Sequence, residues 1–226
     1  MRHYAFVGAY ADYGEEPFRN LGQLSKELRN REIEFTADHG PHCLFVKMPQ
    51  KGDNRDYDDL GPMTSSGILV SGAMIDLLSG FDLGATQVLE LPMYEARGKP
   101  RSSSDMLEEP DYDRPVPGRW GLLHVRETKN ALYDAGCEGV DFELRKHWLP
   151  EPPLMAGVPF RSNKTVLALD ATIACAGPDL WREERIDDIP FISDRLRLAI
   201  EQSGLSVPNT KWLKEARLHD LFEDNG

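Results

Sequence analysis

The sequence predicts an α+β fold with mixed or antiparallel sheets and a few short helices. Short apolar runs separated by glycine, proline and acidic turns recur along the 226 residues, which is typical of strands. Two segments, 74–78 and 196–200, instead show helical spacing of apolar residues just after a serine suited to cap a helix. Because these two units resemble each other, the pattern allows two small related lobes.

The first half contains one well-marked unit. A short apolar strand leads into Ser71, which is placed as a helix N-cap, and Gly80 is placed to end that helix. Pro92 marks the end or the edge of the following strand. The elements predicted in this half are strands at 3–10, 42–48, 68–70 and 85–94, a short polar helix at 18–31 and an acidic loop at 49–62.

A lobe boundary is predicted at residues 97–118, which hold four prolines, three consecutive serines and five acidic residues. This divides the chain into an N-terminal lobe at 1–96, an acidic Pro/Ser-rich loop or linker, and a C-terminal lobe at 119–226. The second lobe is predicted to contain strands at 120–125, 140–145 and 166–170 and a strand-to-helix unit at 190–205.

The two strand-to-helix units align as a weak internal repeat. Ser193 aligns with Ser71, and Gly204 ends the second helix. The apolar pairs that align are Leu196 with Met74, Ile200 with Leu78 and Leu205 with Leu83. The alternative is that any strand-to-helix junction needs an N-cap and an apolar stripe.

The net charge of −12, from 38 acidic and 26 basic residues, argues against nucleic acid and anionic membrane surfaces as partners. An acidic surface favours a basic protein partner, because attraction between oppositely charged surfaces speeds the association of two proteins. The alternative is that the charge only keeps the protein soluble. No apolar window is long enough for a membrane span and the N-terminus is not a signal peptide, so the expected compartment is the cytoplasm.

No metal or cofactor site is predicted. The three cysteines lie far apart, without a CxxC pair, which argues against a disulfide framework or a structural zinc site. The densest group of metal-type ligands is His39, His42 and Cys43, and no second group completes it. A turn followed by a strand is the simpler interpretation of that group.

No catalytic motif is found, so the sequence predicts a protein that is not an enzyme. There is no G-x-S-x-G elbow, no G-x-G-x-x-G and no phosphate-binding G-x-x-x-x-G-K-[ST]. Ser71 and Ser193 are explained as helix caps, and the paired acids at 58–59, 108–109 and 187–188 lie in polar turns.

Aromatic residues among acids in predicted loops are the candidates for partner binding. Tyrosine and tryptophan give a large contact area at low entropic cost, and surrounding acids would select a basic partner. The alternative is that each ring packs on its own lobe. The candidate residues are Asp53, Asp56, Tyr57, Asp58, Asp59, Glu108, Glu109, Asp111, Tyr112, Asp113 and Trp181.

The segment 166–205 contains a run of distinctive features: a strand ending in Asp170, the stretch 179–182 (DLWR), the run from Ser193 to Ala199 and the pair Gly204–Leu205. With these features the segment resembles the C-terminal half of the Imm-eleven type family of bacterial immunity proteins. The unit at 68–91 is similar to that family's upstream strand–helix–strand. After Leu205 the chain departs from the family pattern, with Pro208 inside a segment where the family has a short strand.

The resemblance implies an immunity protein that binds and neutralises a cognate secreted or contact-delivered toxin. It transfers no site residue, because the matching motifs are structural. Two other classes stay open: a small hydrolase that reverses a modification made by a toxin, and a ligand-binding regulatory domain.

Overall fold

The computed structural model describes residues 3–6, 13–15, 44–46, 59–63, 67–96, 110–145, 154–157, 165–186, 190–207 and 213–219. Within these ranges the predicted α+β class is confirmed, with antiparallel and mixed sheets and few helices. The strands are β1 (His3–Phe6), β2 (Tyr13–Glu15), β3 (Leu44–Val46), β4 (Leu60–Met63), β5 (Ile68–Ser71), β6 (Gln87–Glu90), β7 (Met93–Ala96), β8 (Pro110–Pro115), β9 (Trp120–His124), β10 (Thr128–Lys129), β11 (Asp141–Arg145), β12 (Leu154–Gly157), β13 (Ala168–Asp170), β14 (Leu180–Glu183), β15 (Pro190–Ser193) and β16 (Leu213–His219). The helices are α1 (Gly72–Leu78), α2 (Ala171–Cys175), α3 (Asp194–Ser203) and a 3-10 turn (Asp134–Gly136).

One sheet has the order β4-β5-β9-β6, and all its neighbouring strands are antiparallel. Helix α1 carries the chain from β5 to β6, and β9 lies between these two strands. β5 and β9 are buried along their whole length. This sheet therefore draws a central strand from beyond the segment 97–118.

A larger sheet has the order β10-β14-β15-β1-β16-β13. Helix α3 carries the chain from β15 to β16, and β1 lies antiparallel to both. The two outer pairs, β10 with β14 and β13 with β16, are parallel. Here too a central strand comes from the other side of the segment 97–118.

Two smaller groups of strands complete the described fold. β2-β3-β7-β8 form a four-stranded sheet in which β3 and β7 are parallel, and β11 pairs with β12 as a hairpin. β7 follows β6 after Leu91 and Pro92. The strand predicted at 85–94 is therefore two strands, because Pro92 has no N–H to continue a ladder.

Among the described residues, two apolar clusters form the core. The first joins α1 and α3 with the sheets beneath them, and it contains Met74, Leu78, Leu196 and Ile200. The second contains Leu169, Trp181 and Phe191, with the Trp181 and Phe191 rings stacked at 4.7 Å. The first cluster thus buries the apolar stripes of both repeated units together.

Both predicted helix caps are confirmed. Ser71 Oγ accepts the N–H of Met74 at 3.2 Å, and Ser193 Oγ accepts the N–H of Leu196 at 3.1 Å. Gly204 ends α3 with a φ of 74°, a left-handed conformation that suits glycine. The first helix ends one residue earlier than predicted, with Ser79 as its C-cap.

Two predicted segments differ from the structure: the loop at 49–62 gives way to β4 from Leu60, and the loop or linker at 97–118 contains β8. The segment after Leu205, where the chain departs from the family pattern, contains the strand β16. β8 tolerates its prolines because they stand at its first and last positions. The helix predicted at 18–31 lies outside the described residues.

Candidate partner-binding surface

The structure describes five of the eleven residues predicted to bind a partner: Asp59, Asp111, Tyr112, Asp113 and Trp181. These five do not form one surface. Asp111, Tyr112 and Asp113 share β8, Asp59 precedes β4, and Trp181 lies inside β14. The other six, which lie outside the described residues, are Asp53, Asp56, Tyr57, Asp58, Glu108 and Glu109.

β8 presents Tyr112 on a bulge. Glu95 of β7 lies opposite Asp111, while the preceding Tyr94 lies opposite Pro115. The residues at 112–114 are therefore extra to the ladder and protrude from it, as in an enlarged β-bulge. The Asp113 N–H points to Asp111 Oδ1 at 3.4 Å, and pairing resumes where the Val116 N–H donates to the Met93 carbonyl at 2.8 Å.

Side-chain contacts from β7 hold the bulge in place. The Tyr112 ring meets the Tyr94 ring edge-on, with centroids 5.1 Å apart and planes at 69°, an arrangement that aromatic quadrupoles favour. Arg114 Nη2 lies 2.5 Å from Glu95 Oε2. Tyr112 nevertheless keeps 53% of its surface exposed, with the exposed Asp113 beside it. We name Asp111, Tyr112 and Asp113 the Tyr112 bulge.

The prediction that Trp181 lies on an exposed loop is wrong, because its exposure is 0%. β14 is buried along its whole length, so Trp181 stacks on Phe191 in the core. The ammonium of Lys129 lies 4.9 Å from the centre of the same ring, in reach of a cation–π interaction. Trp181 therefore stabilises the fold and presents no surface to a partner.

Lys129 is a buried cation bound by main-chain carbonyls. Its Nζ donates to the carbonyls of Ala174 at 3.1 Å and Ala176 at 2.6 Å, where α2 ends, and lies 3.5 Å from that of Pro178. Burial lowers the pKa of Lys129, whereas nearby acids, with Glu127 first, act to raise it. The N–H groups of its ammonium are directed at these carbonyls, so Lys129 supplies hydrogen-bond donors to the C-terminal end of α2.

Glu183 is the buried carboxylate of β14, with 1% of its surface exposed. Its Oε2 accepts the main-chain N–H groups of Ala131 at 2.7 Å and Leu132 at 3.0 Å. Burial raises the pKa of Glu183, and these amides together with Arg185 act against the rise. The group anchors the segment after β10 to β14.

Asp59 is held by Ser71 and Ser206, so it is not a loop acid open to solvent on all sides. It accepts the Ser71 hydroxyl at 2.5 Å and the Ser206 N–H at 2.9 Å. Although partial burial would raise its pKa, these hydrogen bonds hold the pKa of Asp59 below its usual range. Both carboxylate oxygens thus have partners within the chain.

Asp179 occupies the matching position in the second unit. It accepts the Ser193 hydroxyl at 2.6 Å and is ion-paired with Arg195. Although burial would raise its pKa, Arg195 and then Ser193 hold the pKa of Asp179 below its usual range. Each capping serine therefore donates to a carboxylate while accepting a helix amide, which leaves its hydroxyl in a structural role.

Neither aspartate was identified in this role from the sequence. The signal was present as an Asp–Leu pair ahead of each unit, at Asp59–Leu60 and Asp179–Leu180. The two pairs precede their serines by different intervals, and their contacts depend on how the hairpins between them fold. Glu183 and Lys129 carried no local signal, because their partners are main-chain groups distant in sequence.

No group of three or more metal-type ligands occurs among the described residues. His39, His42 and Cys43 lie outside the described ranges, so the structure does not address that group. Within the part of the chain that is described, no helix has the length and apolarity needed to cross a membrane.

The Tyr112 bulge therefore places a half-exposed aromatic ring between two acidic residues and is braced from β7. The chain matches no protein-family model and no curated protein sequence.

Proposed function

We propose that this protein is a bacterial immunity protein, which acts in the cytoplasm by binding a cognate toxin. The toxin would be secreted or delivered by contact, and neutralisation would follow from covering its active surface. The observation that carries the proposal is the Tyr112 bulge. A tyrosine with half its surface exposed is held in place by Tyr94 and flanked by acids, which suits a binding hot spot for a basic partner.

The resemblance to the Imm-eleven type family supports the same proposal. The residues that carry it have structural roles here: Asp170 caps α2 by accepting the Thr172 N–H at 2.8 Å, Ser193 caps α3 and Gly204 ends α3. A family defined by such positions would share a scaffold, while the partner-specific residues would lie elsewhere. Recognition by exposed segments on a rigid scaffold is the usual arrangement.

The class of protein is tested by co-expression with the product of the neighbouring gene, where that gene encodes a toxin. We expect cells that produce both proteins to survive and the two to co-purify as a complex. A Tyr112→Ala, Asp113→Lys variant should lose protection while keeping the wild-type unfolding midpoint. Survival without any stable complex would contradict binding and favour an enzyme that reverses the toxin's modification.

A further inference from the structure

The two strand-to-helix units correspond well beyond their serine caps. Each consists of a hairpin, a helix and a returning strand: β4-β5-α1-β6 in the first half and β14-β15-α3-β16 in the second. In each hairpin an aspartate precedes the first strand, and its carboxylate accepts the capping serine, Ser71 or Ser193. The main-chain N–H of that serine also donates to the carbonyl of the same aspartate, at 2.8 Å in both units.

In each of the two sheets, a strand from the other half of the chain lies between two strands of the unit. β9 lies between β5 and β6, with Trp120 opposite Ser71, and β1 lies between β15 and β16, with His3 opposite Ser193. Both inserted strands are antiparallel to both of their neighbours. His3 and Trp120 therefore occupy equivalent positions.

The correspondence continues into the outer strands. β3 lies parallel to β7, with Leu44 opposite Met93, and β13 lies parallel to the end of β16, with Leu169 opposite Leu218. β2 then pairs antiparallel with β3, and Leu132 forms an antiparallel bridge with Leu169. β6 and β7 together thus correspond to β16, which has no proline to divide it.

In chain order, each half begins with the strand that lies in the other half's sheet. The first half runs from β1 to β8, and β1 lies in the sheet of β15 and β16. The second half runs from β9 to β16, and β9 lies in the sheet of β5 and β6. We infer that the chain is a tandem pair of related units that bind each other by reciprocal exchange of their first strands.

Polar contacts reinforce this interface in the same reciprocal way. Asp59 of the first half accepts the N–H of Ser206, which follows α3, at 2.9 Å. Asp179 of the second half accepts the N–H of Asp82, which follows α1, at 3.3 Å, and its own N–H donates to the Asp82 carbonyl at 2.6 Å. Each aspartate therefore joins its own serine cap to the chain that leaves the opposite helix.

The halves interact where an extended strand of one half fills the gap between two parallel strands of the other half. Without β9, the facing edges of β5 and β6 would lose their ladder hydrogen bonds, and without β1 so would those of β15 and β16. Two lobes that merely packed side by side would each keep a complete sheet. The exchange therefore predicts that neither half retains its sheet once the other is removed.

The test uses the full chain with a specific protease site inserted after Gly118, between β8 and β9, and cut after folding. We expect the two fragments to elute together as a 1:1 complex with an unchanged circular dichroism spectrum, and to separate only in denaturant. Hydrogen exchange of the cut protein should show β1 and β9 protected like β5 and β15. Fragments that separate into two folded monomers would overturn the inference.

A disulfide pair distinguishes exchange from simple packing. Val88 and Leu123 lie opposite each other in β6 and β9. They form a close, non-hydrogen-bonded pair by alternation, since the Leu91 N–H donates to the Trp120 carbonyl. Val88→Cys with Leu123→Cys should link the two fragments after cleavage, as read by peptide mapping on a non-reducing gel.

The matched control is Phe6→Cys with Val88→Cys. Phe6 lies opposite Leu213 in β16, the position that corresponds to Leu123 opposite Val88. Without exchange, β1 would lie in its own half's sheet and this control pair would form the disulfide instead. Closure of the control pair, or failure of the Val88–Leu123 pair in a protein that is folded, would overturn the inference. If the double variants fail to fold, the hydrogen-exchange pattern of the cut parent protein tests the inference instead.

Discussion

Asp179 accepts the hydroxyl of Ser193 at 2.6 Å in a contact that is buried on both sides. The same hydroxyl oxygen accepts the N–H of Leu196, so one serine joins a helix end to a carboxylate. Because Asp179 is also paired with Arg195, this contact ties β14, β15 and α3 together at one point.

Ser193→Ala should lower the free energy of unfolding by about 1–3 kcal/mol. The change removes the N-cap, worth about 1 kcal/mol, and it leaves a largely buried carboxylate short of one donor, which costs about as much again. Urea melts measure the loss. Ser203→Ala, at the exposed end of the same helix, is the control and should change the midpoint far less. Equal effects at the two positions would contradict the assigned role of Ser193.

Ile200→Ala should cost about 2–5 kcal/mol, the usual range for emptying a core aliphatic position. Ile200 is 3% exposed and packs in the cluster shared by α1 and α3. Leu198→Ala provides a matched control on the same helix, because that side chain is 39% exposed. The control should stay within about 0.5 kcal/mol of the parent protein. A parental midpoint for Ile200→Ala would refute this packing.

Stability should fall in acid through Asp179 and Asp59. In the folded protein the pKa of each lies below its ordinary value of 3.8, despite the opposing effect of burial, because hydrogen-bond donors favour the charged form. The stabilisation is therefore complete above about pH 5, begins to fall near the ordinary pKa, and is lost as pH falls through the lowered values. Urea melts from pH 7 to pH 2.5 measure this slope.

Asp179→Asn should reduce that acid slope, since the side chain at 179 no longer titrates. Asp113→Asn, at an exposed position of β8, is the control for the substitution itself, and the slope of Asp179→Asn is compared with it. An unchanged slope in Asp179→Asn would show that other carboxylates govern acid unfolding.

Tyr112→Ala should weaken toxin binding by about 2 kcal/mol or more, the loss usual for a hot-spot residue, mainly through faster dissociation. Unfolding should change little, because the ring is half exposed. Reversing Asp111 and Asp113 to lysine should instead slow association and weaken its salt dependence, because rim charges act mainly on the on-rate. Binding kinetics at two salt concentrations separate these effects. Unchanged kinetics in all variants would move the interface away from the bulge.

Trp181→Ala should reduce stability by about 3–5 kcal/mol, as expected for a buried aromatic residue. The ring stacks on Phe191 beneath Lys129 and has no exposed surface. The milder Trp181→Phe should fold and bind the toxin at the parental rate. A specific loss of binding in Trp181→Phe, with its unfolding midpoint unchanged, would restore Trp181 as a contact residue.

Local chemistry made part of this fold predictable. The caps at Ser71 and Ser193, the αL glycine at Gly204 and the apolar stripes of α1 and α3 depend on residues within one turn of each other. The predicted fold class follows from such short signals. The acidic residues around the exposed Tyr112 could also be identified from the sequence, because they are its immediate neighbours in the chain.

The features that could not be predicted depend on contacts between residues that lie far apart in the sequence. The charged residues after Trp181 suggested a solvated loop, yet Arg182 and Glu183 are buried in β14. Glu183 can be buried because amides some 50 residues earlier satisfy it. Likewise, nothing within β1 indicates that its neighbours are β15 and β16, since strand pairing depends on segments far apart in the chain.

The position of β1 also has a consequence for biosynthesis. β1 leaves the ribosome before its neighbours β15, which begins at Pro190, and β16, which begins at Leu213. At roughly 5–20 residues per second, this nascent strand waits on the order of 10–40 s for its sheet. During that interval its backbone is open to wrong pairing. We therefore expect chaperone supply and translation speed to control the yield of native protein more than the final stability does.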